Sequence, residues 1–297
     1  MSGSSPECLP SREFSPSPSA QPTSPGTDSA TLTLTVTFSP ATPRLLNIST
    51  RTQVLTGDNV LIAGFIIPEG GSKQVVLRAI GPSLADLGVN GTLLDPTLEL
   101  HYSDGTTVPN DDWQDTQEVE IEATGLQPSD AKESAIVATL EPGLYTAIVR
   151  GSNDSTGVGL VEVYDLDDVV TARMANISTR GFIETGDNVL IGGIIVGGST
   201  LAKIVVRALG PSLADVGVAG ALADTTLEIH GADGSTLFSN DDWREMQETE
   251  IEGSGLAPNH DEESAIVATL PASNYTAIVR GKDGAAGVGL VEVYNVD

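Results

Sequence analysis

The sequence predicts an all-β protein made of two tandem antiparallel β-sandwich domains, jelly-roll or immunoglobulin-like, preceded by an extended N-terminal arm. Three observations carry this expectation. One unit is written twice, residues 47–60 (NISTRTQVLTGDNV) returning as residues 176–189 (NISTRGFIETGDNV). The apolar runs have strand length, and no apolar stripe of helical period continues beyond about ten residues. Glycine (32) and proline (17) punctuate 297 residues of which 4% are aromatic, the composition of short strands and many turns.

Residues 1–29 are mostly Ser, Pro, Gly and Thr with little to bury, and read as a disordered tail. Residues 30–40 read as a lone strand arm. From Thr31 to Phe38 polar and apolar residues alternate, placing Leu32, Leu34, Val36 and Phe38 on one face. Sandwich repeats follow at 44–167 and 172–297, each far longer than a solenoid unit and long enough to bury its own core. The offset between them is 129 through Arg78/Arg207 and His101/His230. It becomes 130 from Asn110-Asp111-Asp112-Trp113, matching Asn240-Asp241-Asp242-Trp243, to the closing Val161–Tyr164 and Val291–Tyr294. In the first copy strands are expected at Asn59 to Ile67, Gln74 to Ile80, Thr97 to His101, Ser134 to Leu140, Tyr145 to Arg150 and Gly159 to Tyr164, with the same series in the second. Asp104-Gly105 and Asp233-Gly234 suit hairpin turns, Gly70-Gly71 and Gly197-Gly198 are turn glycines, and Pro82 opens a short helical turn within 82–94.

With 41 acidic and 14 basic residues the formal net charge is -27, which argues against an electrostatic grip on nucleic acid or an anionic bilayer and points to cations as counter-partners. No window reaches the roughly 18 to 20 apolar residues of a spanning helix, so membrane insertion is not expected. Cys8 stands alone, so no intrachain disulfide forms and the redox compartment is left open.

The strongest candidate site is an acidic loop system: Asp95, Asp104, Asp111 and Asp112, with Asn110 and Glu118 or Glu120 nearby. It is repeated as Asp224, Asp233, Asp241 and Asp242, with Asn240 and Glu248 or Glu250. Calcium takes six to eight hard oxygens, and carboxylates on short loops supply them. Neither copy has EF-hand spacing, and a solvated turn in which Asn and Asp cap backbone amides is the competing reading. Trp113 and Trp243 either anchor these loops or stack on a sugar ring as glycan contacts. Arg78/Arg207 and Glu162/Glu292 lie inside apolar strands and must be paired, Arg78 with Glu162 or Glu133. His101 and His230 sit beside Asp104 and Asp233, yet one shared His per copy makes a poor zinc site. Ser83, Ser134 and Ser264 lack a matching base, so no enzymatic activity is expected.

The lone strand at 30–40 needs a partner. It pairs either with its own first domain or with an exposed edge of another chain, and the second option builds a head-to-tail fibre.

The motifs NISTR, TGDNVLI, RALGPSL, LADTTLEIH, SNDDW, ESAIVATL, YTAIVRG and GVGLVEVY resemble a family of tandem modules of about 125 to 130 residues in secreted or surface proteins of environmental bacteria, over about residues 44–297. Asp95 to Tyr164 also resembles, more weakly, the bacterial pre-peptidase C-terminal domain, a calcium-associated jelly roll. These resemblances imply an extracellular, non-catalytic role. The expectation is an extracellular structural protein, a filament subunit self-associating through its front strand with Ca2+ in the acidic loops. The alternative is a calcium-dependent glycan-binding or adhesion module at the cell surface.

Overall fold

The computed structural model describes residues 44–167, 176–186 and 188–296. The expected tail at 1–29 and strand arm at 30–40 lie outside the described residues.

The first copy forms β1 (Arg44–Val54), β2 (Leu61–Ile67), β3 (Lys73–Ile80), β4 (Pro96–Tyr102), β5 (Thr107–Asn110), β6 (Ser134–Leu140), β7 (Gly143–Gly151) and β8 (Gly157–Asp165). The second forms β9 (Asn176–Ile183), β10 (Leu190–Gly197), β11 (Ala202–Leu209), β12 (Thr225–His230), β13 (Thr236–Asn240), β14 (Ser264–Leu270), β15 (Ser273–Gly281) and β16 (Gly287–Asn295). All-β antiparallel architecture is therefore as expected. Within the first copy the strand orders are β6-β3-β8-β1 and β5-β4-β7-β2, every neighbour antiparallel. The chain crosses between these sheets at each connection except the β4–β5 hairpin. That is eight-stranded jelly-roll connectivity, which decides between the two sandwich types.

The two copies are not independent bodies in series. β1 pairs with β8 of its own copy along one side and with β10 of the other copy along its second side. Reciprocally, β9 pairs with β16 and with β2. Two eight-stranded runs result, β6-β3-β8-β1-β10-β15-β12-β13 and β14-β11-β16-β9-β2-β7-β4-β5. All described residues belong to one compact unit. The joint has the reciprocity of an isologous contact, because equivalent residues meet at its centre. Thr50 Oγ1 donates to Thr179 Oγ1 at 2.9 Å, and Gln53 lies opposite Phe182. Glycine allows the edges to close. A Cβ at Gly64 would lie 2.9 Å from Ser178 Oγ, and one at the equivalent Gly193 would lie 2.5 Å from Ser49 Oγ.

Strand chemistry follows from burial. In β2, Leu61, Ala63, Phe65 and Ile67 point inward in strict alternation, and β7 answers with Tyr145, Ala147 and Val149. One apolar cluster runs through both copies, from Leu45 to Val293. β3 and β6 are covered on their outer face as well. There Trp113 and Ile121, the latter from a short helix at Glu118–Thr124, pack on Ala135. In the second copy Trp243 and Ile251 cover Val205, Ala265 and Val267. The helical turn expected within 82–94 is a 3-10 turn at Pro82–Leu87. The Glu118–Thr124 helix was not expected, since Ile121 is its one buried residue and too little for a helical stripe.

Candidate functional site

Of the predicted acidic residues, the fold brings together Asp95, Asp111 and Asp112 in one copy and Asp224, Asp241 and Asp242 in the other. In each trio the nearest carboxylate oxygens lie within 4.8 Å of one another. Asp95 immediately precedes β4, and Asp111 and Asp112 immediately follow β5, so the hairpin delivers all three to one end of the sandwich. A hydroxyl fixes the spacing: Ser134 Oγ is shared between the carbonyls of Pro96 and Asp111. Ser264 Oγ is shared in the same way between Thr225 and Asp241, at 2.6 Å to each carbonyl. The Asn110 amide donates to the Asp112 carbonyl (3.1 Å) and to Thr116 Oγ1 (3.0 Å), while its Oδ1 accepts Ala135 N–H at 2.9 Å. The loop is thus held by uncharged groups, and the carboxylates are left facing one another.

That arrangement is electrostatically costly, and the protonation equilibria register it. Desolvation, then the neighbouring charges of Asp95 and Asp112, push the Asp111 carboxyl above the ordinary carboxylate range. Desolvation pushes Asp224 up as well, against the opposing pull of Lys282. Buried oxygens without a hydrogen-bond partner occur in both trios: Oδ1 of Asp95, and Oδ1 of Asp224, Asp241 and Asp242.

Among the described residues each trio meets one ammonium, and the two come from different places. Lys132, half exposed, reaches only Asp112, at 3.0 and 3.2 Å. Lys282 Nζ lies 2.9 Å from Asp241, 3.4 Å from Asp224 and 3.9 Å from Asp242. Its hydrogen bond to Asp241 leads the effects that hold its pKa above the usual lysine value. The position equivalent to Lys132 is Glu262, and that equivalent to Lys282 is Ser152. Both lysines were missed from sequence. The signal was present in the alignment of the copies, where a lysine and its counterpart differ in charge beside an unchanged Asn-Asp-Asp-Trp.

Two predicted ligands are elsewhere. Asp104 caps its own hairpin by accepting Thr106 N–H at 2.8 Å, and Asp233 accepts Ser235 N–H at 3.0 Å and its hydroxyl at 2.6 Å. These bonds hold both carboxyls below the usual range. A residue at i of such a turn uses its carboxylate locally, which removes it from any shared site. Glu118, Glu120, Glu248 and Glu250 occupy the first turns of the short outer helices. Trp113 and Trp243 are 7% and 1% exposed, with Nε1 donating to the carbonyls of Asp130 (3.2 Å) and His260 (3.0 Å). They are loop anchors, and the glycan contact proposed for them is corrected: a sugar needs an open ring face, and each indole is spent on packing over β6 or β14.

The remaining polar candidates are engaged in ion pairs and hydrogen bonds. Arg78 Nε donates to Glu162 at 2.8 Å and Nη1 to the Leu126 carbonyl at 2.9 Å, and Arg207 repeats the arrangement with Glu292 and Leu256. Buried Glu133 accepts Gly81 N–H (3.1 Å), Ser83 N–H (2.9 Å) and the Ser83 hydroxyl (2.5 Å). His101 Nε2 bonds to Glu99 at 3.0 Å rather than to Asp104.

No protein-family model matches this chain, and no curated protein sequence does. Among solved structures it is similar to a DUF4785 family protein from Legionella pneumophila, with 11% identity, a TM-score of 0.25, and coverage of 84% of this chain and 65% of that one. It is also similar to the CUB1-EGF-CUB2 domain of human MASP-1/3, with 9% identity, a TM-score of 0.18, and coverage of 82% of this chain and 98% of that one.

Proposed function

We propose that this chain is an extracellular structural protein that assembles head-to-tail by strand addition, residues 31–38 of one chain completing a sheet of the next, with calcium stiffening the acidic loop of the first copy. The observation that carries the reading is the joint between the copies. The protein already buries strand edges by pairing them across jelly rolls, β1 on β10 and β9 on β2. This reciprocal joint consumes the inner edges of both copies and closes on itself. Growth therefore needs an outer edge and a strand belonging to neither sandwich, and Thr31 to Phe38 has the alternation of such a strand.

Calcium enters through the geometry of the first trio. Two oxygens bound to one calcium at about 2.4 Å lie at most about 4.8 Å apart, and Asp95, Asp111 and Asp112 meet that bound. Three carboxylate oxygens are fewer than the six to eight that calcium takes, so the rest of its shell would come from other donors. Lys282 supplies positive charge in the second trio, so one calcium per chain is the expected stoichiometry. The role is non-catalytic. Deleting residues 1–40 and measuring particle mass by light scattering tests the reading: the deletion should reduce assemblies to the monomer, and an unchanged size distribution overturns it.

A further inference from the structure

We infer that the acceptor of the front strand is the edge of β13, open among the described residues, and that the strand comes from a second copy of this chain. The inference rests on the strand-addition reading and adds which edge is used and why a second copy is the favoured donor.

The two eight-stranded runs end at four strands, β6, β13, β14 and β5. β6 is closed by side-chain amides. Ala135 N–H is taken by Asn110 at 2.9 Å, while Gln117 accepts Val137 N–H at 3.2 Å and donates to the Val137 carbonyl at 2.9 Å. Gln117 acts as a one-residue strand, held for this in a left-handed conformation at φ 57°. β14 is closed identically by Asn240 on Ala265 and by Gln247, φ 59°, on Val267 at 3.1 and 2.8 Å. β5 carries Pro109, which removes a donor and is a standard means of blunting an edge. At the equivalent place β13 has Ser239. Among the described residues, no side chain bonds the backbone of Thr236 to Ser239, and Leu237 stands exposed on this edge. Phe238 is half-buried at the open end of the core. An incoming strand would lay its Leu32, Leu34, Val36, Phe38 face beside Phe238 and its threonines toward solvent.

The length of chain between Phe38 and β1 favours a second copy as the donor. Phe38 is six residues from Arg44, the start of β1, a reach of about 22 Å at full extension. β10, β15, β12 and β13 separate β1 from the vacant position, five spacings or about 24 Å before any offset along the strands. A donor edge and an acceptor edge that differ make a heterologous contact, which propagates.

The test uses the full chain. Ser239→Pro gives β13 the residue that blunts β5. Its particle mass should fall to that of the 30.6 kDa monomer with the circular dichroism spectrum unchanged. In parallel, Thr35→Cys and Ser239→Cys are placed on separate, differently tagged chains in a Cys8→Ser background and mixed under mild oxidation. Mixed disulfide dimers should exceed those formed with a Thr107→Cys partner, on β5, by at least about tenfold. Equal yields at β13 and β5 overturn the assignment, as does assembly that survives Ser239→Pro yet is lost on deleting residues 1–40; in that last case strand addition stands and the edge is wrong. Assembly that survives both changes overturns the reading and the assignment together.

Discussion

Lys73 and Asp165 give the sharpest quantitative expectation, because the protein contains its own control. Lys73 opens β3 with its side chain 2% exposed, and Nζ meets Asp165, 1% exposed, at 2.9 and 3.1 Å. In the second copy the equivalent residues are Ala202 and Asn295, so the positive and negative charges have both disappeared. Removing one member of a buried pair costs about 3–5 kcal/mol, whereas removing both leaves mainly a packing defect of about 1–2 kcal/mol. Lys73→Ala should therefore lose about 3–5 kcal/mol, and adding Asp165→Asn should recover about 2–3 of it. The lost lysine stem is common to both variants and cancels in the comparison. Urea unfolding at neutral pH followed by circular dichroism measures this, with an unchanged m-value confirming that only stability has moved. A double variant no more stable than the single one, within about 0.5 kcal/mol, refutes the reasoning.

Three further outcomes are expected. Gly64→Val and Gly193→Val overpack the joint by about 1–3 kcal/mol each, and the chain should still melt in one calorimetric transition at lower temperature; two separate transitions would show the copies to be independent. Glu133→Ala leaves Gly81 N–H, Ser83 N–H and the Ser83 hydroxyl without their acceptor, a loss of about 3–6 kcal/mol, and hydrogen exchange should accelerate first at Gly81 and Ser83. Calorimetric titration should find one calcium per chain, abolished by Asp111→Asn and raised to two by Lys282→Ser, the residue of the first copy. Since the Asp111 carboxyl is held above its ordinary value, the calcium-free protein gains stability as pH falls through the raised folded-state value toward the ordinary one, while calcium affinity declines; affinity independent of pH across the mildly acidic range contradicts the assignment.

What the sequence made legible was local and periodic. The apolar run of strand length from Asn59 to Ile67 and the repeated motifs placed strands, because run length is a property of one segment at a time. Arg78 with Glu162 was legible for a different reason: a buried charge demands a partner of opposite sign. Which edges meet was not legible. Gly64 and Gly193 lie inside apolar runs with no local signal to mark them, and their purpose appears only when Ser178 and Ser49 are found opposite them. Asp104 and Asp95 likewise looked equivalent in composition. The backbone decides between them, as Asp104 lies at the hairpin tip and Asp95 and Asp111 at its open end.

The divergence of the two trios bears on how metal and assembly are related. Lys132 is 54% exposed and touches one carboxylate at the rim, an ion pair worth little and readily displaced. Lys282, 35% exposed, sits among all three carboxylates of the second trio. β13 ends at Asn240, directly before Asp241 and Asp242, so the proposed acceptor edge adjoins the cluster that carries its own cation. β5, blunted by Pro109, adjoins the cluster proposed to take calcium. A loop held by a covalently tethered ammonium keeps its geometry without metal, whereas three carboxylates with a displaceable rim lysine do not. Chelation should therefore lower the melting temperature of the chain and leave the mass of its assemblies unchanged. Lys282→Ser should couple the two, making assembly sensitive to chelator for the first time. If chelator dissolves assemblies of the unaltered chain, the division of labour between the two ends is wrong, and the calcium loop must lie at or near the contact between molecules.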